Sequence, residues 1–288
     1  MKEQNLRTET DGGVRSLILC RPEQYNTLTP ELRDELAVAL DEAEADPDVR
    51  VIVLRSTGRA FCAGYGLDWT VERHLKEEAK DRVWDSVTDL KYYGSFVATF
   101  QKLWYSSKPT VAAVNGWCLG GGTDLVLWAD LIIAGESASF GYPPSRVWGV
   151  PTNPMWIHRL GFERAKRYLF TGDELPAPEA AKFGLILETV PDDELESRAM
   201  ELAHRIAQVP GNQLYMLKLC CNQSAENMGL GSARLLATVF DGVARHTQEG
   251  LDFVAKAQRI GFREAVRERD RPFGDYGEGP RGRRKGKK

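Results

Sequence analysis

Three consecutive glycines, Gly120, Gly121 and Gly122, stand in the run GWCLGGGTDLVLWADL (Gly116–Leu131), and a carboxylate, Asp124, follows two residues later. Ordering glycine costs more backbone entropy than ordering any other residue, so three together imply a need for bare backbone. The preceding TVAAV reads as a strand, Asn115–Gly116 as a turn, and TDLVLWAD as the beginning of a helix. A helix start presents unpaired N–H groups and the positive end of the macrodipole, and glycine lets another group approach them. The chemistry that fits is the holding of an oxygen with negative charge. A phosphate is the poorer guest. A Walker-type loop needs Lys and then Ser/Thr after its last glycine, where Thr123 and Asp124 stand; the dinucleotide fingerprint needs glycine where Leu125 stands. Asp124 would also repel a phosphate. An oxyanion formed transiently from a carbonyl suits the site better.

A second glycine cluster, STGRAFCAGYGLDW (Ser56–Trp69), carries Gly64 and Gly66 and again follows a strand-like run. Asp124 has two readings. It complements the helix dipole, or it exchanges protons, for which burial in an apolar pocket would raise its pKa. Beside two oxyanion loops the second is expected. Cys62 lacks any recognisable base and reads as a small apolar filler.

These residues need a scaffold. SLILC (Ser16–Cys20), Val49–Leu54, PTVAAVNG, LIIAGE and LILETV have the apolar density of buried strands. Between the first two, Thr29 is an N-cap and Pro30 the first helical residue, and Leu32, Leu36, Leu40 and Ala43 form one apolar stripe. Strands alternating with helices predict an α/β layer architecture. From about Asp192 onward the pattern is helical only. The charged stretch Asp68–Ser86 reads as a loop or exposed helix.

Length and composition are those of an ordinary globular protein, and a net charge of −3 gives the body no electrostatic case for binding nucleic acid. The tail RGRRKGKK (Arg281–Lys288) reads as a solvated terminus. The five cysteines are odd in number and lack zinc-ligand spacing, which implies a reducing compartment. The N-terminal MKEQNLRTETDGG is too polar for a signal peptide, and no apolar run is long enough to span a membrane. A cytoplasmic protein without membrane association is expected.

RAFCAGYGL, followed about fifty residues on by NGWCLGGGTDLVLWADLIIAGESASFG, resembles the enoyl-CoA hydratase/isomerase (crotonase) superfamily, and RPEQYNTLTPEL resembles that family's first strand-to-helix junction. The resemblance runs from about Arg15 to His246. It implies a spiral of ββα units over residues 1–206 holding an acyl-CoA site. It also implies a helical C-terminal region over 207–288 that builds trimers, often paired as hexamers, and ends in the basic tail. It implies that the Tyr65 and Gly121 N–H groups receive the thioester oxygen and that Asp124 moves a proton. Ala63, Gly64, Gly66, Leu67, Asp68 and Gly120 would border the CoA ester, and backbone near Ala63 would meet the adenine. No metal or redox cofactor is implied; coenzyme A is part of the substrate.

The sequence also departs from the family pattern. The second hydratase glutamate should fall in FGYPPSRVWGVP, where alignment from Phe140 places Pro144, and this segment has one extra residue before Gly149. A position that is aspartate in some isomerases and dehalogenases is Asn153. Tyr142, Arg146 and Trp148 surround the position of the missing acid, and with Pro144 they are expected to line the acyl pocket. Arg146 has two readings, a partner for a substrate carboxylate or a salt bridge to a core acid. Trp156 and His158 read as structural. The expected activity is that of an enoyl-CoA hydratase or hydratase/isomerase in lipid metabolism, with double-bond isomerisation alone as a rival. The other rivals are hydrolysis on the same fold, a non-catalytic acyl-CoA binder, and an RNA binder using the tail.

Overall fold

Thr29 accepts the Leu32 N–H through its side chain at 3.2 Å and Pro30 follows at the first helical position, so α1 (Pro30–Ala45) begins where its sequence says it should. Its predicted stripe is buried, with Ala39 added to it. The structure is a computed structural model that describes residues 5–66 and 84–276. Leu67, Asp68, the remainder of the charged stretch up to residue 83, and the basic tail lie outside the described residues.

The predicted strands are present as β2 (Val14–Leu19), β3 (Val51–Ser56), β5 (Thr110–Val114), β7 (Leu131–Gly135) and β10 (Glu188–Val190). With β1 (Leu6–Asp11) at the edge they form one sheet in the order β1-β2-β3-β5-β7-β10, parallel except for the β1–β2 hairpin. Four shorter strands, β4 (Ala60–Cys62), β6 (Trp117–Leu119), β8 (Ser139–Gly141) and β9 (Leu175–Pro176), form a second sheet in that order.

The chain therefore advances as a spiral. Each turn gives one strand to the first sheet, the next to the second, and then a helix: β3 and β4 precede α2 (Ser86–Tyr105), and β5 and β6 precede α3 (Gly121–Val126). β7 and β8 precede α4 (Met155–Leu160) and α5 (Phe162–Thr171). α6 (Ala177–Phe183) leads into β10.

Alternate residues of the first sheet face opposite cores, as a pleated strand requires. Val51, Val53, Val111 and Ile133 pack with Leu195, Ala199 and Ala203 of α7 (Leu195–Ala207). Ile52, Leu54, Ala112 and Ile132 pack into the larger core with α1, α2 and α3. Beyond α7 the chain is helical: α8 (Gly211–Asn227), α9 (Leu230–Arg245), α10 (Gln248–Ile260) and α11 (Phe262–Asp270). Buried Lys218 fastens α8 to the core, bonding the Leu103 carbonyl and pairing with Asp130, each at 2.8 Å.

Candidate active site

The glycine triplet solves a packing problem. Gly120 has φ +51°, which side-chain-bearing residues rarely adopt. A Cβ at Gly122 would overlap the Cys62 carbonyl oxygen, so the start of α3 lies directly on β4. Gly121 meets the Tyr65 ring, whose Cε2 would lie 2.7 Å from an added Cβ. The second glycine cluster approaches from the other side: a Cβ at Gly64 would lie 3.1 Å from the Leu119 carbonyl oxygen and 3.4 Å from the Gly121 nitrogen. The two loops, distant in sequence, are in backbone contact.

Gly121 is the first residue of α3, so its N–H has no intrahelical acceptor. Tyr65 forms a parallel bridge with Leu28. The Leu28 N–H donates to Gly64 O at 2.8 Å and the Gly66 N–H donates to Leu28 O at 2.9 Å. In that pattern the bonds to Leu28 come from the residues flanking Tyr65, and the peptide groups of Tyr65 itself face the opposite edge.

Both loops open into a cavity of about 1240 Å³, lined by Ala63, Gly64, Tyr65, Gly66, Gly120 and Gly121 on one side and by Tyr142, Pro144 and Trp148 on another. Tyr142 donates its hydroxyl to Val150 O at 3.0 Å. Pro144 sits against the first loop, its Cγ 3.4 Å from where a Gly120 Cβ would be. Trp148 packs on Phe253 of α10, with ring centroids 5.1 Å apart.

Asp124 is fully buried and does not line the cavity. Among the described residues neither carboxylate oxygen has a partner in hydrogen-bonding geometry. The hydroxyl and N–H of Thr152 and the N–H of Asn153 lie near enough to favour its charge weakly. Burial, and after it the charge of Asp241, push this carboxyl well above the usual carboxylate range. Two cavity-lining phenols, Tyr65 and Tyr142, feel Asp124 more than any other charge. Asn153 is structural: it donates to the Asp124 carbonyl at 3.0 Å and accepts the Met155 N–H at the start of α4.

Arg146 corrects one expectation. It does not reach the cavity for a substrate carboxylate; its side chain is 1% exposed and paired with the protein's own acids. Nη1 bonds Asp270 at 2.9 Å, both Nη1 and Nη2 bond Asp275 at 2.8 Å, and the guanidinium lies 3.9 Å over the Phe273 ring. The salt-bridge reading is the one the structure contains. Cys62 is fully buried, and burial pushes its thiol up to about 12, which suits a filler rather than a nucleophile. Trp156 is 1% exposed, in the core.

Sequence reasoning missed a second set of cavity residues. Asp89 and Tyr93 of α2, Asp241 and Arg245 of α9, and His246 all line it. The sequence held one signal: Asp241 and Arg245 stand four apart in the apolar helical run ARLLATVFDGVAR, where a charged pair must find buried partners.

A sequence model of the enoyl-CoA hydratase/isomerase family matches residues 9–262. A crystal structure of an enoyl-CoA hydratase from Mycobacterium smegmatis is similar with a TM-score of 0.89 at 43% identity, covering 95% of this chain and 96% of that one. An enoyl-CoA hydratase/isomerase from Xanthobacter autotrophicus Py2 is similar with a TM-score of 0.85 at 29% identity, covering 94% and 98%. The 1,2-epoxyphenylacetyl-CoA isomerase of Escherichia coli (strain K12) is 31% identical over 225 residues, 76% of this chain and 82% of that one.

Proposed function

Because the chain belongs to the enoyl-CoA hydratase/isomerase family, we propose that its cavity binds an acyl-CoA thioester and that its two glycine loops form an oxyanion hole. The observation that carries this reading is the contact between the loops, which brings the outward edge of Tyr65 beside the Gly121 N–H, a donor with no acceptor in its own helix. Donors fixed in advance and shielded from water stabilise an enolate oxygen at about 3 kcal/mol each. The Ala63–Gly66 backbone borders the thioester, and Tyr142, Pro144 and Trp148 face the acyl group.

Asp124 is the proton carrier. Asp124 stands outside the cavity lining, so the acyl group has to reach past Tyr65 or Tyr142 to meet it. As carboxylate it then takes a proton from the carbon beside the thioester carbonyl, the electron pair moves to the carbonyl oxygen, and the enolate rests on the two N–H groups. As carboxylic acid it returns the proton. Burial raises its carboxyl well above the usual carboxylate range, which favours the acid form that returns the proton. The chemistry needs no metal or redox group, because the backbone donors carry the developing charge.

Hydration and double-bond shift both use this step. Pro144 favours the shift, since it brings neither proton nor lone pair to the position where hydratases hold a second glutamate. We further infer that the protein works as a trimer or hexamer in the cytoplasm, within fatty-acid or related lipid metabolism. The support is the helical C-terminal region and the five free thiols.

The test is proton exchange in D2O with a saturated acyl-CoA such as butyryl-CoA. Deuterium appearing at the carbon beside the thioester is the expected result. Binding without exchange would make the protein an acyl-CoA binder instead of an enzyme.

A further inference from the structure

We propose that the wall of the cavity made by Asp89, Asp241 and Arg245 recognises a hydroxyl group on a flat acyl chain; this rests on the acyl-CoA reading above. The three side chains come from two helices, Asp89 from α2 and the others from α9, and all three line the cavity. Arg245 bridges the acids, donating Nη2 to Asp89 Oδ2 at 2.6 Å and Nη1 to Asp241 Oδ2. Asp241 Oδ1 also accepts the Val150 N–H at 3.2 Å. The side chains are only 7% to 12% exposed.

The cluster is built into the backbone around it. Gly242 leaves room for Asp89, since a Cβ there would lie 2.6 Å from Asp89 Oδ2. The Arg245 guanidinium lies 3.8 Å over the Tyr93 ring. Burial opposes the Arg245 charge, but Asp241, Tyr93 and Asp89 more than restore it, so the guanidinium stays ionised.

Two acid side chains face one guanidinium in this wall, and burial raises the Asp241 carboxyl while Arg245 opposes the rise, so the wall is rich in acceptor oxygens. Each carboxylate oxygen can accept more than one donor, so Arg245 does not exhaust them. A plain alkyl chain seated there would strip water from these charges and give nothing back. A carboxylate on the acyl group brings acceptors only, and Arg245 is already engaged by both acids. A hydroxyl donates to an acid and is held. The adjoining surfaces of Tyr65, Tyr93, Tyr142 and Trp148 are aromatic, which suits a flat, unsaturated or ring-bearing acyl group.

The plainer role, an ion pair that fastens α9 to α2, would be indifferent to the acyl group. Selectivity therefore decides. The kcat/KM would be measured for two matched pairs of CoA thioesters: 3-phenylpropenoyl-CoA against its 4-hydroxyphenyl counterpart, and hex-2-enoyl-CoA against 6-hydroxyhex-2-enoyl-CoA. The hydroxylated member should be preferred at least tenfold in the aromatic pair, and a 4-carboxyphenyl analogue should be the poorest substrate. In Asp241→Asn and Asp89→Asn the preference should fall below threefold. Equal kcat/KM within both pairs in the wild type overturns the inference and leaves the acyl-CoA reading standing. No binding and no α-proton exchange with any thioester overturns that reading itself. Should either variant fail to fold, the wild-type comparison still decides.

Discussion

Asp124 is buried with no partner in hydrogen-bonding geometry among the described residues, an arrangement that opposes folding when the group is charged. Its folded pKa is raised, so the native carboxyl keeps its proton to higher pH than the unfolded chain does. Above the ordinary aspartate value of about 4 the unfolded chain releases that proton first, and stability falls with rising pH until the raised native pKa is passed. Asp124→Asn removes this slope. The variant should gain Tm relative to wild type as pH goes from 5 to 8, bind acyl-CoA, and lose turnover about 100-fold or more. Near-wild-type turnover would remove Asp124 from the chemistry; thermal melts across pH test the stability half separately. Asp124 could be read from sequence because a local motif sets its distance from the glycines. Asp241 and Arg245 left a faint trace as an i,i+4 charged pair, but Asp89 could not be joined to them, because it meets Arg245 across more than 150 residues of chain. For Arg146 the sequence left two readings open, and only the placement of Asp270 and Asp275 separates them.

Elements were legible where apolar density or a cap marked them. The strands of the first sheet that are buried on both faces stand out as apolar runs, and α1 announces itself through Thr29 and Pro30. β1 does not, since only Leu6 of its six residues is buried. The second sheet could not be read either, because its strands are two or three residues long and show no period. α2 was missed although Asp85 caps it, accepting the Val87 and Thr88 N–H groups at 3.0 Å. These differences give a paired test on glycine. Gly94 lies inside α2 with nothing among the described residues within 4 Å of an added Cβ, so Gly94→Ala should stabilise the protein by about 0.5–1 kcal/mol. At Gly122 an added Cβ meets the backbone of β4, which cannot move aside as a side chain does. Gly122→Ala should cost about 1–3 kcal/mol and weaken acyl-CoA binding by pushing the two loops apart. Denaturant unfolding of both variants checks the signs; a neutral Gly122→Ala would mean that α3 does not need its close seat on β4.

At the scale of the molecule, α9 has two unlike faces. Thr238, Asp241 and Gly242 face inward, and Asp241 reaches the cavity. Leu235, Leu236, Val239, Phe240 and Val243 are 37% to 55% exposed, and Met216, Leu217 and Leu219 of α8 add three more exposed apolar side chains. Apolar surface grouped on neighbouring elements marks an interaction site more often than solvent-facing decoration. The occupant proposed above is a second copy of the chain. That assembly joins association and catalysis through one helix, since whatever covers the outer face of α9 also fixes the position of Asp241 and Arg245 on its inner face. Leu236→Glu combined with Phe240→Glu places two charges on the outer face and touches neither the glycine loops nor Asp124. Light scattering should give the wild type three or six times the 32.2 kDa chain mass, and the double variant one. The monomer should keep its helical circular dichroism and still lose most of its turnover, because α9 is then held only by its inner contacts and the Arg245 bridge to Asp89 loosens. A wild-type monomer would refute the assembly. A monomeric variant with full turnover would show that α9 holds the cavity wall unaided.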